Sequence, residues 1–439
     1  MWAGLWRLGA YVVLALLGVG FAALLGAPSH GWASKLGLAL ALLGFSLIVL
    51  QAILAARLKW IERAFGFDIL IRFHRNMGIL TLVVLVAHPL LLASGEAGWG
   101  LIFSLQQSWV VWVGKAALLL LIVHVLSSVY QRRLGLRFEA WRNVHDLLGP
   151  LVLGLGFVHS WFIGDDLVLA PMRLLWIVLL LLAAVLFLYH RFLRPWRLRR
   201  RAFEVVEVVP EAEDVWTVRL APTQGRPLPD YLPGQFHFIT FFRRPDLPVE
   251  EHHWTISSSP TEKRCLSSTI KALGDFTATM GETRVGDTAA VHAAFGRFSY
   301  VLHPQERDLV FIAGGIGITP LISMLRHMRD TEQSHRVLLI YGNQDEAQIL
   351  FREELDEIAS REHPRLRVVH VIDNPDPDWD GERGRIDEKM IRRLCGSDLT
   401  GKAFYLCGSA GLTQAAIRIL RGLDVPDSAI RLEVFSFLD

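Results

Sequence analysis

Four histidines lie inside strongly apolar segments, and their spacing repeats: His74 and His88, then His145 and His159. The two members of a pair are 14 residues apart. That is almost four complete turns of an α-helix, so both rings project from the same side of it. The rings are then about 21 Å apart along the axis, within a hydrocarbon core about 30 Å thick. Two such helices side by side would create two stacked bis-histidine sites, each suited to the iron of one haem.

A glycine follows each first histidine at the same distance, Gly78 after His74 and Gly149 after His145. Glycine at that position removes a side chain where a flat macrocycle would lie against the helix. The sequence has no Cys-x-x-Cys-His motif, which excludes covalent c-type attachment, so the haems would be b-type. A single histidine in a membrane helix is often a helix–helix hydrogen-bonding residue. Four at matched spacing, with matched glycines, favour metal ligation instead.

The elements that must position these histidines are membrane helices. Hydrophobic residues make up 52% of the 439 residues, which is more than an ordinary soluble enzyme contains. Residues 1–195 hold six apolar stretches, each near the length of about 20 residues that crosses a bilayer. We predict spans at 5–26, 36–56, 72–93, 108–130, 143–163 and 170–193. The predicted fold begins with an α-helical membrane domain of six transmembrane helices over residues 1–195.

Basic residues predict how these spans run through the membrane. The loops after spans two and four, and the segment after span six, are rich in arginine, whereas the opposite loops have few basic residues. The positive-inside rule then gives a multi-pass protein of the cytoplasmic membrane, with both termini and the soluble part in the cytoplasm. His74 and His145 would share the inner level, and His88 and His159 the outer level.

Several other polar residues of the membrane half have more than one interpretation. Arg72, Arg75 and Arg142 would either pair with haem propionates or only follow the positive-inside bias. His124 in span four and His190 near the end of span six have no matched partner. We interpret both histidines as structural or interfacial residues.

The soluble half contains two different patterns after a basic linker at 191–203. Residues 203–302 carry short strand-like runs, beginning with a half-buried strand over Glu204–Leu220, and predict a small antiparallel β-barrel. Residues 306–439 alternate strands and helices, which predicts an α/β domain with a parallel sheet. Its predicted elements are strands at Leu309–Ala313, Val337–Tyr341, Leu366–Ile372 and Ala403–Cys407, a helix ending near Arg329, and a helix at Glu346–Ser360.

Three short motifs in the soluble half suit nucleotide cofactors. Gly314–Pro320 lies at a strand-to-helix turn, where glycines let the backbone approach a pyrophosphate and the helix N-terminus favours negative charge. Gly274–Thr277 offers a glycine, a hydroxyl and amides to a phosphate, although locally it also fits an ordinary β-turn. His252–Ser258 places an aromatic residue among hydroxyls, as a flavin ring and its ribityl chain would require.

With these motifs in this order, the chain resembles the ferric reductase/NADPH oxidase superfamily along nearly its whole length. Residues 1–195 resemble the ferric-reductase-type transmembrane domain, in which two helices each carry a histidine pair and hold two b-type haems. Residues 203–439 resemble the ferredoxin–NADP reductase module, an FAD-binding barrel followed by a nicotinamide-nucleotide domain. The resemblance implies two haems, FAD and NAD(P)H as cofactors.

The resemblance also implies roles for individual residues of the soluble half. His252–Thr255 matches the family's flavin segment, with Trp254 against the isoalloxazine ring. Residues expected to bind FAD are His252, His253, Trp254, Thr255, Ser257, Ser258, Gly274, Phe276 and Thr277. Residues expected around the nicotinamide nucleotide are Gly314, Gly315, Gly317, Thr319, Pro320, Cys407, Gly408 and Ser409. The C-terminal Glu-x-Phe of the family matches Glu433 to Phe435, and either Phe435 or Phe437 would stack on the flavin.

Two departures from the family pattern bear on these assignments. The family's Gly-Pro-Tyr/Phe-Gly reads Ala-Ala-Phe-Gly over residues 293–296, so that turn is expected to differ. The stretch Tyr341–Glu346 lacks the arginine that often meets the 2′-phosphate of NADPH, and it carries two acids that would repel a phosphate. NADH is therefore favoured, and Arg352 keeps NADPH open.

The resemblance implies transmembrane electron transfer from cytoplasmic NAD(P)H through FAD and two haems. With both axial positions of each iron filled by histidine, the acceptor would be reduced without binding iron, which favours oxygen giving superoxide. The alternative is a ferric chelate, and a third possibility is a periplasmic redox partner. Besides the lipid bilayer and a small-molecule acceptor, no partner is indicated. The net charge of +2 is no sign of nucleic acid binding, and no EF-hand-like loop or proline-rich segment indicates an obligate protein partner.

Overall fold

The computed structural model describes residues 2–25, 31–396 and 398–435. The chain forms two compact units that divide between Arg194 and Pro195. The first unit is helical, and the second contains two six-stranded sheets, one antiparallel and one parallel. Among the described residues, six helices are long and apolar enough to cross a membrane. The predicted fold class, a six-helix membrane domain followed by a β domain and an α/β domain, is confirmed.

The first unit contains eight α-helices within its described residues. They are α1 (Trp2–Leu25), α2 (Trp32–Ala55), α3 (Lys59–Phe65), α4 (Phe67–Ser94), α5 (Gly100–Phe103), α6 (Trp109–Val129), α7 (Phe138–Ile163) and α8 (Ala170–Leu188). The candidate spans are α1, α2, α4, α6, α7 and α8. Large apolar side chains such as Leu119 and Val185 are 61% exposed, as expected of helix faces that lipid would cover.

Small residues and aromatic rings hold these helices together. A side chain at Gly44 of α2 would collide with Leu85 of α4, so glycine lets the two helices approach closely. Phe45 of α2 stacks on the fully buried Trp176 of α8, with ring centroids 4.9 Å apart. These contacts fix α2, α4 and α8 relative to one another.

The helices that carry the histidine pairs begin earlier than predicted. Helix α4 starts at Phe67 and α7 at Phe138, each five residues before the predicted span, because the apolar window excludes the polar first turns. The basic linker predicted at 191–203 is helical over most of its length. A π-helical turn over Tyr189–Leu193 leads into α9 (Arg194–Arg200), since leucine and arginine are good helix formers.

The antiparallel sheet of the second unit closes on itself. Its strands are β1 (Phe203–Ala212), β2 (Val215–Pro222), β3 (Phe236–Phe242), β4 (Glu251–Thr255), β5 (Leu266–Lys271) and β6 (Thr288–Phe295), and α10 (Asp275–Ala278) follows β5. The order is β4-β3-β6-β1-β2-β5. The Ser257 amide donates to the Ser267 carbonyl at 2.8 Å, joining the two edges. The single strand predicted over Glu204–Leu220 is instead the β1–β2 hairpin, because the polar pair Glu213-Asp214 forms its turn.

The parallel sheet has helices along its strands. Its elements are β7 (Asp308–Gly314), α11 (Ile318–Asp330), β8 (Arg336–Asn343), α12 (Arg352–Ala359), β9 (Arg365–Ile372), β10 (Glu382–Arg383), α13 (Glu388–Cys395), β11 (Lys402–Cys407), α14 (Ala410–Gly422) and β12 (Ile430–Glu433). The order is β10-β9-β8-β7-β11-β12. Cys407 pairs with Ala313, so β7 and β11 end side by side. The carboxyl edge at which β7 and β11 end is where such sheets bind ligands.

The helix predicted over Glu346–Ser360 is shorter in the structure. A 3₁₀ turn covers Glu346–Gln348, and α12 begins only at Arg352. Phe351 adopts a left-handed conformation with φ of 57°, which interrupts the helical path. The hydrophobic periodicity does not reveal such a backbone reversal.

Candidate cofactor sites

Helices α4 and α7 bring the rings of His74 and His145 close together in an edge-to-face arrangement. Their ring centroids are 6.2 Å apart, with an angle of 63° between the ring planes. Two imidazoles bound to opposite sides of one metal through bonds of about 2 Å have ring centres about 6 Å apart. The observed separation therefore fits a pair of axial ligands. His88 and His159 form the second pair one histidine spacing further along the same two helices.

Main-chain carbonyls orient both histidines of the second pair. His88 Nδ1 lies 2.9 Å from the carbonyl oxygen of Gly37 on α2, and His159 Nδ1 lies 2.9 Å from that of Val110 on α6. A carbonyl only accepts hydrogen bonds, so each Nδ1 must carry the proton and donate. Each Nε2 then keeps its lone pair, which is the form in which imidazole binds iron.

The first pair is held differently. His145 Nδ1 lies 3.1 Å from Ser128 Oγ on α6, and the same hydroxyl lies 2.6 Å from the carbonyl oxygen of His124. His74 Nδ1 is buried and has no hydrogen-bond partner within the described part of the chain. One pair thus relies on main-chain acceptors, and the other on a single side-chain hydroxyl.

His124, interpreted from sequence as structural or interfacial, lies directly beside the first pair. Its ring stacks on His145 with centroids 4.2 Å apart and 25° between the planes. Trp141 contacts the same ring at 5.1 Å. His124 lies one turn before Ser128 on α6, and residues four apart share a helix face. The sequence therefore placed His124 and Ser128 on the same side of α6.

The glycines near the histidines fall into two kinds. A Cβ at Gly78 or Gly149 would meet no heavy atom within 4 Å, as expected where a macrocycle is to lie against the helix. A Cβ at Gly114 of α6 would lie 2.5 Å from the His159 ring, so only glycine fits there. Gly114 could not be predicted from the sequence, because it lies on a different helix from the histidine that it accommodates. Paired imidazoles, oriented nitrogens and bare helix faces together fit b-type haem.

Two of the basic residues near these helices, Arg72 and Arg142, have partners within the protein. Arg72 donates to Asp68 at 2.6 Å, both side chains being at least half exposed. The Arg142 guanidinium lies 5.8 Å from the ring centre of Phe138. Both interpretations of these arginines therefore stay predictions. His190 lies within the π-helical turn that follows α8.

In the second unit, the two predicted flavin motifs come together. His252 and Trp254 on β4 both approach Phe276 on α10, with ring centroids 4.3 Å and 6.0 Å away. His252 Nε2 also lies 2.9 Å from a carboxylate oxygen of Glu250, which orients the imidazole. The motifs at 252–258 and 274–277 thus form one aromatic surface on the barrel.

Three hydroxyl groups that were predicted to contact the flavin cofactor form hydrogen bonds within the protein instead. Thr277 Oγ1 accepts from the amides of Leu273 and Gly274 at 2.9 Å, so it closes its own turn. Ser257 Oγ accepts from Thr269 Oγ1, and Ser258 Oγ accepts from the Ser267 amide; both serines are buried. These three hydroxyls therefore stabilise the two motifs through bonds within the protein.

The glycine-rich turn packs tightly against the end of β11. A side chain at Gly317 would collide with the Cys407 carbonyl, and one at Gly408 would press on Leu412 at 2.8 Å. Thr319 Oγ1 donates to the Ile316 carbonyl at 3.0 Å within the turn. Further residues of this edge are Gly314, Gly315 and Pro320 beside the turn, and Ser409, whose Oγ accepts from the Leu412 amide and caps α14. The residues predicted to bind the nicotinamide nucleotide, which end or follow β7 and β11, therefore lie at the same edge of the sheet.

The thiol of Cys407 is kept neutral. The residue is fully buried, and burial raises its pKa well above the ordinary value, with the nearby Glu433 carboxylate adding to the effect. A neutral thiol is a weak nucleophile, so packing rather than attack suits this residue.

The C-terminal segment reaches the flavin motif through its backbone. His253 Nε2 lies 3.0 Å from the Phe435 carbonyl oxygen, and the Phe435 side chain packs on the core of the parallel-sheet domain. Phe437, the other candidate for stacking on the flavin, lies outside the described residues. Near the end of β8, Arg352 forms an ion pair with Glu346 at 3.6 Å.

Family comparisons match the two units separately. Residues 40–156 match the family described as ferric reductase like transmembrane component, and residues 311–418 match the oxidoreductase NAD-binding domain. Each match falls on one side of the division between Arg194 and Pro195. Both families comprise oxidoreductases or their electron-transfer components, as the sequence analysis predicted.

Individual relatives cover only part of this chain. A flavohemoprotein from Bordetella pertussis is 29% identical over 249 residues, which are 54% of this chain and 60% of the relative. Cytochrome b5 reductase 4 from Mus musculus is 28% identical over 51% of this chain and 40% of its own length. The cytochrome b5 reductase domain of Ulva prolifera nitrate reductase aligns with 53% of this chain and 97% of its own, at 22% identity and a TM-score of 0.48. Together, the two family matches show a region like the ferric reductase transmembrane component followed, in the same chain, by a region like the oxidoreductase NAD-binding domain.

Proposed function

We propose that this chain transfers electrons from a cytoplasmic nicotinamide nucleotide through FAD and two b-type haems to an acceptor on the opposite side of the membrane, with oxygen reduced to superoxide. The observation that carries the proposal is the doubled histidine pair on α4 and α7. In it, three of the four Nδ1 atoms have hydrogen-bond partners that leave Nε2 free for iron.

The histidines hold the haems and do not break bonds. His74 and His145 would hold the haem nearer the cytoplasm, and His88 and His159 the other. When bound, the haems would supply one-electron transfer and FAD the conversion from a two-electron hydride donor to one-electron carriers. With imidazoles from two helices holding each iron, an acceptor would be reduced without binding iron, which suits oxygen or a ferric chelate.

The soluble module would present FAD and the nucleotide to each other. The aromatic surface of His252, Trp254 and Phe276 supports an isoalloxazine ring at the barrel. The edge formed by Gly314–Pro320 and Cys407–Ser409 supports the nicotinamide nucleotide, since glycines there let the ligand approach the backbone. The contact between the Phe435 carbonyl and His253 would keep the C-terminal segment beside the flavin motif.

NADH is the proposed coenzyme. Arg352, the residue that would keep NADPH possible, is already paired with Glu346, and the guanidinium also lies 5.6 Å from the ring of Trp379. A 2′-phosphate would have to displace the carboxylate to bind there. Relative turnover with NADH and NADPH tests this, and Glu346→Gln should raise activity with NADPH by freeing the guanidinium. A preference for NADPH in the unaltered protein would contradict it.

A ferric chelate is the second candidate acceptor, because the membrane half matches a family described as ferric reductase like. The loops expected on the outer side, at 27–35, 94–107 and 164–169, are short, which favours a small acceptor such as oxygen.

Acceptor use in full-length protein tests the proposed function. We expect NADH consumption with oxygen and superoxide-dismutase-sensitive reduction of cytochrome c. Consumption that requires ferric citrate would identify a ferric reductase instead. Protein that binds two haems yet reduces neither acceptor would favour the third possibility, delivery to a periplasmic redox partner. Absence of flavin from folded protein would overturn the proposal altogether.

A further inference from the structure

We infer that Ser128 is a positioning residue that fixes the tautomer and the donor strength of His145, so that the potential of one haem depends on a side-chain hydroxyl. The inference rests on the proposed function, because it concerns a haem held by His74 and His145. It assigns a specific role to a serine that neither the motifs nor the family comparison indicate.

The direction of each hydrogen bond follows from counting protons. Ser128 has one hydroxyl proton, and its Oγ lies 2.6 Å from the His124 carbonyl oxygen, which can only accept. The proton must therefore point to that carbonyl. His145 Nδ1, 3.1 Å from the same Oγ, must then donate to the hydroxyl lone pair. The chain of bonds runs from the imidazole N–H through the hydroxyl to the carbonyl, and it leaves Nε2 of His145 unprotonated.

This arrangement affects the metal through the ligand. A hydroxyl that donates to a carbonyl is polarised and becomes a better acceptor. An imidazole that donates from Nδ1 to such an acceptor is a more basic ligand at Nε2. A more basic axial ligand stabilises the oxidised iron, so the bond should lower the reduction potential of that haem. Removing the hydroxyl should raise it.

Within the described residues, no other side chain can replace the hydrogen bond that Ser128 makes to this histidine pair. On the opposite ligand of the same pair, His74 Nδ1 has no partner among the described residues, so no second bond compensates for losing Ser128. The other pair depends on the Gly37 and Val110 carbonyls, which no side-chain replacement removes. A change at Ser128 should therefore move one haem and leave the other alone.

The neighbouring residue provides a matched control. Ser127 Oγ also donates to the His124 carbonyl, at 3.1 Å, within the same turn of α6. It has no hydrogen bond to an imidazole among those described. Ser127→Ala thus removes a hydroxyl, and its hydrogen bond to the His124 carbonyl, from the same turn of α6. It does not remove a hydrogen-bond partner of His145. Ser128→Thr is the rescue variant, because threonine keeps a hydroxyl that can bond the carbonyl four residues earlier.

The experiment is a potentiometric titration of full-length protein in detergent, followed at the haem absorption bands, with low-temperature EPR of the oxidised form. We expect Ser128→Ala to raise the midpoint potential of one haem and to shift one of two low-spin EPR signals. Ser127→Ala and Ser128→Thr should leave both haems as in the unaltered protein. An unshifted pair of potentials in Ser128→Ala, or an equal shift in Ser127→Ala, would overturn the inference.

Failure of the alanine variant to retain haem does not end the test. Ser128→Cys keeps the shape but offers only a weak acceptor, so it should shift the same haem in the same direction by a smaller amount. No shift in that variant would also refute the role of Ser128. Lack of two bis-imidazole haems in the unaltered protein is a separate result, which would overturn the proposed function rather than this inference alone.

Discussion

The two histidine pairs have the same spacing on the same two helices, yet the protein supports them in different ways. The His88/His159 pair donates to main-chain carbonyls of α2 and α6. The His74/His145 pair has one side-chain acceptor, Ser128, and one buried nitrogen with no described partner. A main-chain acceptor persists through side-chain replacement, whereas a hydroxyl can be lost by a single substitution. The first site is therefore the adjustable one, and the second is the fixed one.

Aromatic surroundings differ between the pairs as well. His145 is stacked on His124 at 4.2 Å and contacts Trp141 at 5.1 Å. His159 is accommodated instead by the missing side chain of Gly114. We therefore expect substitutions around His145 to change mainly the electronic properties of its imidazole. Substitutions around His159 should change mainly how well its ring fits between the helices.

Removing one ligand from each pair should have the largest effect and should separate the two sites. We expect His145→Leu and His159→Leu each to lose one haem and to lower NADH-driven turnover by at least about 100-fold, since a metal site loses a ligand. In His159→Leu the remaining haem should still be reduced by NADH. In His145→Leu the remaining haem should be reduced only by dithionite. Equal reduction by NADH in both variants would contradict the proposed order of the sites.

Filling the space at Gly114 should damage only the fixed site. The Cβ of Gly114→Ala would lie 2.5 Å from the His159 ring and displace it from the Val110 carbonyl. Overpacking of this kind costs about 1–3 kcal/mol. Haem content and thermal unfolding are the measurements, and Gly20→Ala is the control, because a Cβ there meets nothing within 4 Å. Unchanged spectra in Gly114→Ala would show that the ring does not depend on this contact.

A larger side chain at Gly149 tests where a macrocycle lies. We expect Gly149→Leu to lower haem affinity about tenfold, as a clash of about 1.4 kcal/mol would. Gly20→Leu should leave haem content unchanged, although neither position has protein atoms within 4 Å of a Cβ. Equal haem content in the two variants would mean that no ligand lies against Gly149.

The smallest effect is expected at His124. A stacked ring pair contributes about 1 kcal/mol, and His124→Phe keeps a flat ring next to His145. Both haems should be retained, and turnover should change by less than about threefold. Loss of one haem, measured by the pyridine haemochrome assay, would make His124 a ligand and would break the assignment of His74 and His145 as partners.

The sequence predicted those features that depend on local periodicity. The histidine pairs and six spans follow from helical repeat and apolar length, and the parallel sheet follows from alternating strands and helices. Main-chain acceptors at Gly37 and Val110 could not be predicted, because every residue has a carbonyl and only the packing of helices selects one. Ser128 and Gly114 were missed for the same reason. The left-handed Phe351 also leaves no mark on hydrophobic periodicity.

For the flavin motifs, the sequence indicated which residues come together but not which way their hydroxyl groups point. The family resemblance implied that residues 252–258 and 274–277 both bind FAD, and the rings of Trp254 and Phe276 are close. Their hydroxyls were expected to face a ligand, yet Ser257, Ser258 and Thr277 bond inward. A motif identifies which residues meet, whereas the direction of a hydroxyl depends on which neighbours need a partner.

The most direct test of the account is the haem content and ligation of purified full-length protein. Pyridine haemochrome analysis and low-temperature EPR should give two b-type haems per chain, both low-spin with two imidazole ligands. A single haem, or none in protein that is correctly folded, would contradict the claim that His74, His145, His88 and His159 form two iron sites.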